Sequence, residues 1–304
     1  MIHIFTALIP IFSLIMIGYF LKKIKFPSSE FWPQADKLTY YILMPSLLIY
    51  KLSTANLSST NSTYFILTAL ITIFIVWIIL IVLNRYLGFD NAAFTSIVQG
   101  GIRFNTYVFL ALADSIFGNE GLVFAALLLM FVIPFINVLC ISTFALYVNE
   151  SRLTFMDLIK SIVSNPLIVA CFIGGMINYI DFGVPIIIEK ILSIISSAAL
   201  PLGLLSVGFG LVIKEINDSK NEIFHANFSK LVLSPLIMYA VALLFQLDSQ
   251  MIAILIIFAV LPTAPSSFVL ARQLGGDVKL MSSIITLQTL LSVAFIIVVL
   301  NYFI

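Results

Sequence analysis

One apolar span of this 304-residue chain holds an arginine, Arg103, in the run Gln99-Gly100-Gly101-Ile102-Arg103-Phe104-Asn105-Thr106. A charge at membrane depth is costly enough that a functional role is its default reading. The guanidinium is flat, permanently charged and two-pronged, which suits a carboxylate. A later apolar span is broken in a comparable place by Pro262-Thr263-Ala264-Pro265-Ser266-Ser267. Each proline removes a backbone donor and crowds the preceding turn. Gly100-Gly101 weakens its own helix. In lipid, the amides and carbonyls freed by a break must be satisfied by protein or by a wet cavity. Two interrupted helices in corresponding halves of a polytopic chain mark the substrate site of a secondary transporter. Half-helices beginning near Asn105 and Ser266 would aim their positive ends at a shared centre, and helix N-termini favour anions.

Blander readings stand beside these. Snorkelling would relieve Arg103, although it sits near the middle of its span and has far to reach. Gly-Gly and proline kinks also serve close helix packing, and Asn105, Thr106, Ser266 and Ser267 are residues that often bond helix to helix. Asn137 beside Pro134, and Gln288 with Thr286 and Thr289, read mainly as packing contacts of this kind. The candidate substrate-binding set is Gly101, Arg103, Asn105, Thr106, Pro262, Thr263, Ala264, Pro265, Ser266 and Asn137.

The elements that must hold these residues are membrane helices. The chain is 62% hydrophobic and 10% charged, with a mean hydropathy of +1.17. No soluble domain has interior enough for that. About ten spans of roughly 20 residues are readable, near 3–21, 34–52, 64–86, 92–113, 120–147, 162–180, 186–213, 228–247, 251–271 and 279–303. Segments 149–161 and 214–230 have a mixed-charge, helical look, and the blander reading of both is a solvated linker. Lys22, Lys23 and Lys25 follow the first apolar run rather than precede it, which is the wrong order for a secretory signal. Cys140 and Cys171 lie inside spans and read as small core residues.

Alternate loops carry Lys22, Lys23, Lys25 and Lys37, then Arg85, Arg152 and Lys160, Lys214, Lys220 and Lys230, and Arg272 and Lys279. The opposite loops carry only Lys51 and Lys190 as cations. The positive-inside rule therefore puts both termini outside. A cysteine introduced at Asn217 is expected to react only with membrane-permeant reagents in intact cells; labelling by an impermeant reagent reverses the orientation. Five spans per half make an inverted repeat, 1–149 and 150–304, in one transmembrane unit.

Further motifs carry a resemblance. Gly18-Tyr19-Phe20-Leu21-Lys22-Lys23 and Leu38-Thr39-Tyr40-Tyr41-Ile42-Leu43-Met44-Pro45-Ser46-Leu47-Leu48 come first. Arg103-Phe104-Asn105 and Ser164-Asn165-Pro166-Leu167-Ile168 follow. Last come Leu261 to Ser267, Ala271-Arg272-Gln273-Leu274-Gly275-Gly276-Asp277, and Thr286, Thr289, Leu290, Leu291 and Ser292. In this order they resemble the auxin efflux carrier family over nearly the whole chain. The resemblance implies an all-α polytopic fold of the bile-acid symporter type. It has ten helices in two inverted five-helix repeats, with the fourth and ninth broken and crossing at the substrate site. It implies alternating access of the elevator type and an organic acid such as an auxin-like acid, malate or malonate. The compact length resembles bacterial members, which implies an inner-membrane location. The fourth span lacks the family's proline, so its break is expected at Gly100-Gly101.

The expected partners are a small organic anion and the lipid bilayer, with a homodimer left open; nucleic acid, cofactor and metal are not expected. A sodium-coupled, bile-acid-like symporter is the rival within the fold. Sodium sites favour oxygen cages with a carboxylate, and no Asp or Glu adjoins the second break. An intramembrane enzyme would need a nucleophile with its base, or a metal cluster. The two histidines, His3 and His225, lie at the terminus and in a loop. A receptor would need an output domain, and the connections are too short to hold one.

Overall fold

The computed structural model describes residues 2–54, 62–148, 164–180, 183–212 and 219–303. All elements among them are helical: α1 (Ile2–Lys23), α2 (Phe31–Leu38), α3 (Met44–Ser53), α4 (Ser62–Leu87), α5 (Asn91–Ile102), α6 (Thr106–Tyr147), α7 (Pro166–Tyr179), α8 (Ile186–Ser197), α9 (Ala199–Gly210), α10 (Lys220–Phe228), α11 (Ser234–Leu244), α12 (Ser249–Ala259), α13 (Ser266–Leu274) and α14 (Val278–Phe303). Among the described residues six helical stretches are long and apolar enough to cross a bilayer. The chain is a multi-pass membrane protein.

Helix lies within each of the ten spans read from the sequence. Their ends follow local chemistry. Asp90 caps α5, accepting from the amides of Ala92 and Ala93 at 3.0 and 3.3 Å. Asp248 caps α12 through the Met251 amide at 2.8 Å. A carboxylate at a helix start satisfies orphan amides and opposes the helix dipole. The two interrupted helices thus begin alike and stop after 12 and 11 residues. Within α6 the chain turns at Gly118, whose φ of 61° and ψ of −144° suit glycine.

Two widened turns share one cause. Thr39–Leu43, between α2 and α3, and Ser229–Leu233, between α10 and α11, have five-residue π spacing. Each stands two residues before a proline, Pro45 or Pro235. Proline has no N–H and clashes with the carbonyl four residues back, and a π turn widens the helix at that place. The second turn corrects the reading of 214–230 as a solvated linker. From Lys220 onward this segment is helix, as its pattern suggested, but Ile223, Ala226, Asn227 and Lys230 are buried. Residues 213–218 and the other mixed-charge segment, 149–161, lie outside the described residues.

The chain forms two compact units, and each draws on both halves of the sequence. The first contains Met1–Thr60, Tyr107–Ile133 and Ile159–Gly210. Within it α1 packs on α9 through two glycines: a Cβ at Gly18 would strike the Leu205 carbonyl, and one at Gly208 the Ile15 carbonyl. Trp32 stacks on Phe209 at 4.9 Å. The second unit contains Asn61–Thr106, Pro134–Leu158 and Leu211–Ile304. Helix α5 is its core, buried from Ala93 to Ile102 and packed on α4, α10, α13 and α14.

Candidate functional site

All ten residues of the candidate set fall in the second unit. Helix α5 ends at Ile102, Arg103 is extended (φ −78°, ψ 162°), and helix resumes at Thr106. Helix α12 ends at Ala259 and α13 begins at Ser266, so Pro262 and Pro265 both lie in that break. The Asn105 amide donates to the Pro262 carbonyl at 2.8 Å, tying one break to the other. Backbone groups that α-helix would have paired internally are paired between the two breaks.

The break in the fourth span does not fall on the glycines. Gly100 and Gly101 are helical, and the chain unwinds from Arg103 to Asn105. The glycines give close approach instead. A Cβ on Gly100 would lie 2.8 Å from Ile284 Cγ2 and 3.1 Å from Ala226 Cβ. One on Gly101 would lie 2.8 Å from Leu80 Cδ1. Tertiary packing overrides the low helix propensity of glycine.

A polar lattice holds the breaks open. Gln288, fully buried on α14, accepts from the Thr263 amide at 2.9 Å. Its Nε2 donates to the carbonyls of Gly100 at 2.9 Å and Ala226 at 3.4 Å. Thr263 Oγ1 donates to the Gln99 carbonyl at 3.3 Å and lies 3.2 Å from Ser267 Oγ. Thr263 is itself fully buried, so its hydroxyl serves the scaffold. Pro262, Asn105 and Gly101 are buried as well. Ala264, Pro265, Thr106 and Asn137 are half-buried, and Ser266 is exposed.

Arg103 is the half-buried cation in this group. Its Nη1 donates to Asn137 Oδ1 at 3.3 Å and its Nη2 to Ser266 Oγ at 3.1 Å. Cys140, one turn beyond Asn137 and fully buried, lies beside the guanidinium. Among the described residues no carboxylate pairs with Arg103. The side chain is aimed by neutral groups and retains donors for an anion, since a guanidinium offers five. Asn137 is thus a partner of Arg103, although its position beside Pro134 suggested a packing contact. Gln288, Gln99 and Cys140 were not in the candidate set. Their signal was faint: a polar residue inside an apolar span, with no spacing to show what it faced.

The sequence pattern of the family described as membrane transport protein matches residues 3–300. The chain belongs to that family. It is the auxin-efflux-carrier-like family to which the motifs pointed. Within this transporter family, a protein of Rhizobium meliloti (strain 1021) named "Putative malonate transporter" is 24% identical over 308 residues, covering 97% of this chain and 94% of that protein. An "Uncharacterized transporter" of Methanothermobacter thermautotrophicus is 25% identical over 289 residues, covering 94% of each. Another, from Methanocaldococcus jannaschii, is 26% identical over 295 residues, covering 92% of each.

Proposed function

We propose that this transporter carries a small organic anion, with the carboxylate held where the two helix breaks meet. The observation that carries the reading is Arg103, a permanent cation whose partners among the described residues include no carboxylate, beside the Asn105–Pro262 tie. Ser266, at the start of α13, would add the positive end of a helix. A dicarboxylate such as malonate is the first candidate, supported by the name of the Rhizobium relative. We read the cycle as alternating access of the elevator type on a five-plus-five inverted repeat. The similar aspartate-capped starts of α5 and α12 support that repeat. A bacterial inner membrane with both termini outside remains the proposed setting.

The test is flux of radiolabelled malonate and malate into liposomes containing only the purified protein. Uptake is expected without any other component. It is also expected to be unchanged when choline replaces sodium, because no acidic residue stands near the second break to anchor the ion. Export of an anion gains about 2.3 kcal/mol per charge for each 100 mV of inside-negative potential, so net export should carry current. Uptake that vanishes in choline would reject this in favour of the sodium-coupled symporter.

A further inference from the structure

Lys230 lies at the start of a membrane helix and was counted from sequence among the loop charges. In the structure it is 1% exposed. Its Nζ sits 5.5 Å from the ring centroid of Phe258, and that ring packs edge-on against Phe104 at 4.6 Å. Phe104 is the residue between Arg103 and Asn105, inside the first break. Beside Lys230, Ser229 fills the notch left by Gly101, with its Cβ 3.4 Å from where a Cβ would stand on that glycine. The buried amine is therefore one aromatic ring behind the proposed anion site.

No described residue forms an ion pair or hydrogen bond with this amine. The widened turn Ser229–Leu233 packs on α4, α5, α10, α11 and α14, and the Phe258 ring belongs to α12. Their ionisable side chains are few. Helices α5 and α12 have none; α4 offers Arg85, Tyr64 and Tyr86; α11 offers Tyr239; α14 offers Lys279 and Tyr302; α10 offers Lys220, Glu222 and His225. Glu222 is the sole carboxylate among them, and it stands eight residues before Lys230, roughly 12 Å along a helix. Asp90, Asp248 and Asp277 are committed to capping backbone amides. The backbone is short of a donor too. In the π register the partner of the Lys230 carbonyl would be residue 235, which is Pro235. One turn earlier Asn227 is buried, and its Oδ1 accepts no hydrogen bond from a described residue. Asn227 also lines a hollow of about 420 Å³, together with Lys220 and apolar side chains that include Phe224, Phe228, Leu287 and Leu291.

We propose that Lys230 is a proton-exchange site that couples anion transport to the proton gradient. An amine buried without a carboxylate has no fixed counter-charge, and Asn227, one turn away along the helix, lines the hollow from which a proton could reach it. In the step, a proton passes between water and the amine lone pair, and no other bond changes. The two ring contacts keep Nζ within ~10 Å of the Phe104 ring. At that separation, through protein, a unit charge changes an anion's affinity on the order of tenfold. Coupling is reciprocal, so the anion favours the proton on Lys230 by the same factor. Proton and anion then cross together. This direction of coupling rests on the organic-anion reading above.

Two measurements separate the two ideas. The first uses no substrate: thermal unfolding of wild type, Lys230→Met and Lys230→Arg in detergent from pH 5.5 to 9. Methionine is neutral and arginine charged throughout. The melting difference between wild type and Lys230→Met is expected to change across this range, while that between the two variants stays flat. A constant difference overturns the proposal, whether or not malonate is carried. If Lys230→Met does not fold, wild type against Lys230→Arg gives the same decision. The second measurement is malonate flux in liposomes at clamped voltage. With the acid side outside, wild type should accumulate malonate up to about tenfold per pH unit. Lys230→Met should still exchange malonate for malonate but gain no accumulation from the gradient. Equal gradient-driven accumulation by both overturns the coupling. Absence of malonate exchange in wild type counts against the substrate reading and leaves the melting comparison to decide on Lys230.

Discussion

Replacing Arg103 with alanine is expected to weaken organic-anion binding by about 10- to 150-fold, the loss of one charge-assisted hydrogen bond of about 1.5–3 kcal/mol. The protein should still fold. Arg103 is half-buried and its hydrogen bonds run to Asn137 and Ser266 side chains, which can turn to water or to each other. The break itself is held by other groups: the Asn105 amide on the Pro262 carbonyl, and Gln288 on Thr263 and Gly100. Arg103→Lys keeps the charge but loses the flat fork, so it should recover only part of the affinity. The measurement is binding or flux of malonate at several concentrations, with a melting curve as control. Unchanged binding in the alanine variant would make Arg103 a brace between Asn137 and Ser266. The anion argument would then rest on helix ends alone.

Which parts of this site could be read in advance follows from physics at the level of single residues. Arg103 was visible because a charge inside an apolar span has no inexpensive explanation. Pro262 and Pro265 were visible because proline removes a donor whatever its neighbours. Gly100-Gly101 misled: a glycine pair looks the same in sequence whether it loosens a helix or lets two helices touch, and only the atoms around Leu80, Ala226 and Ile284 distinguish the cases. Lys230 misled for a related reason. Cations at span ends are usually solvated, and the helical look of 214–230 does not show that helix α10 continues into the span and buries the amine. The partnership of Arg103 with Asn137 joins residues 34 apart, and that of Thr263 with Gln288 joins residues 25 apart. No periodicity within one helix encodes such pairs. They exist because the breaks bring backbone groups into a core where each must find a partner.

Gln288 is where that requirement is most concentrated, and Gln288→Ala should be the most destabilising single change at the site. One amide serves three chain segments, accepting from the Thr263 amide and donating to the carbonyls of Gly100 and Ala226. The side chain is fully buried, so water does not replace it readily. Truncation leaves the Thr263 amide and the Gly100 carbonyl without this partner, at about 1–3 kcal/mol for each one that stays unpaired, while the Ala226 carbonyl keeps the Ser229 amide. Set against a total stability of about 5–15 kcal/mol, that is enough to lower the melting temperature by roughly 10 °C. Gln288→Glu is the sharper test because it barely changes shape. It keeps the acceptor for Thr263 but, once ionised, turns oxygen lone pairs toward the Gly100 carbonyl that needs a donor, so at a pH where the carboxyl is charged it should destabilise at least as much as alanine. Melting curves of both variants in detergent decide the matter. If the glutamate variant melts like wild type, the carbonyls of Gly100 and Ala226 do not depend on Nε2, and the breaks are held by the Asn105–Pro262 tie and by packing.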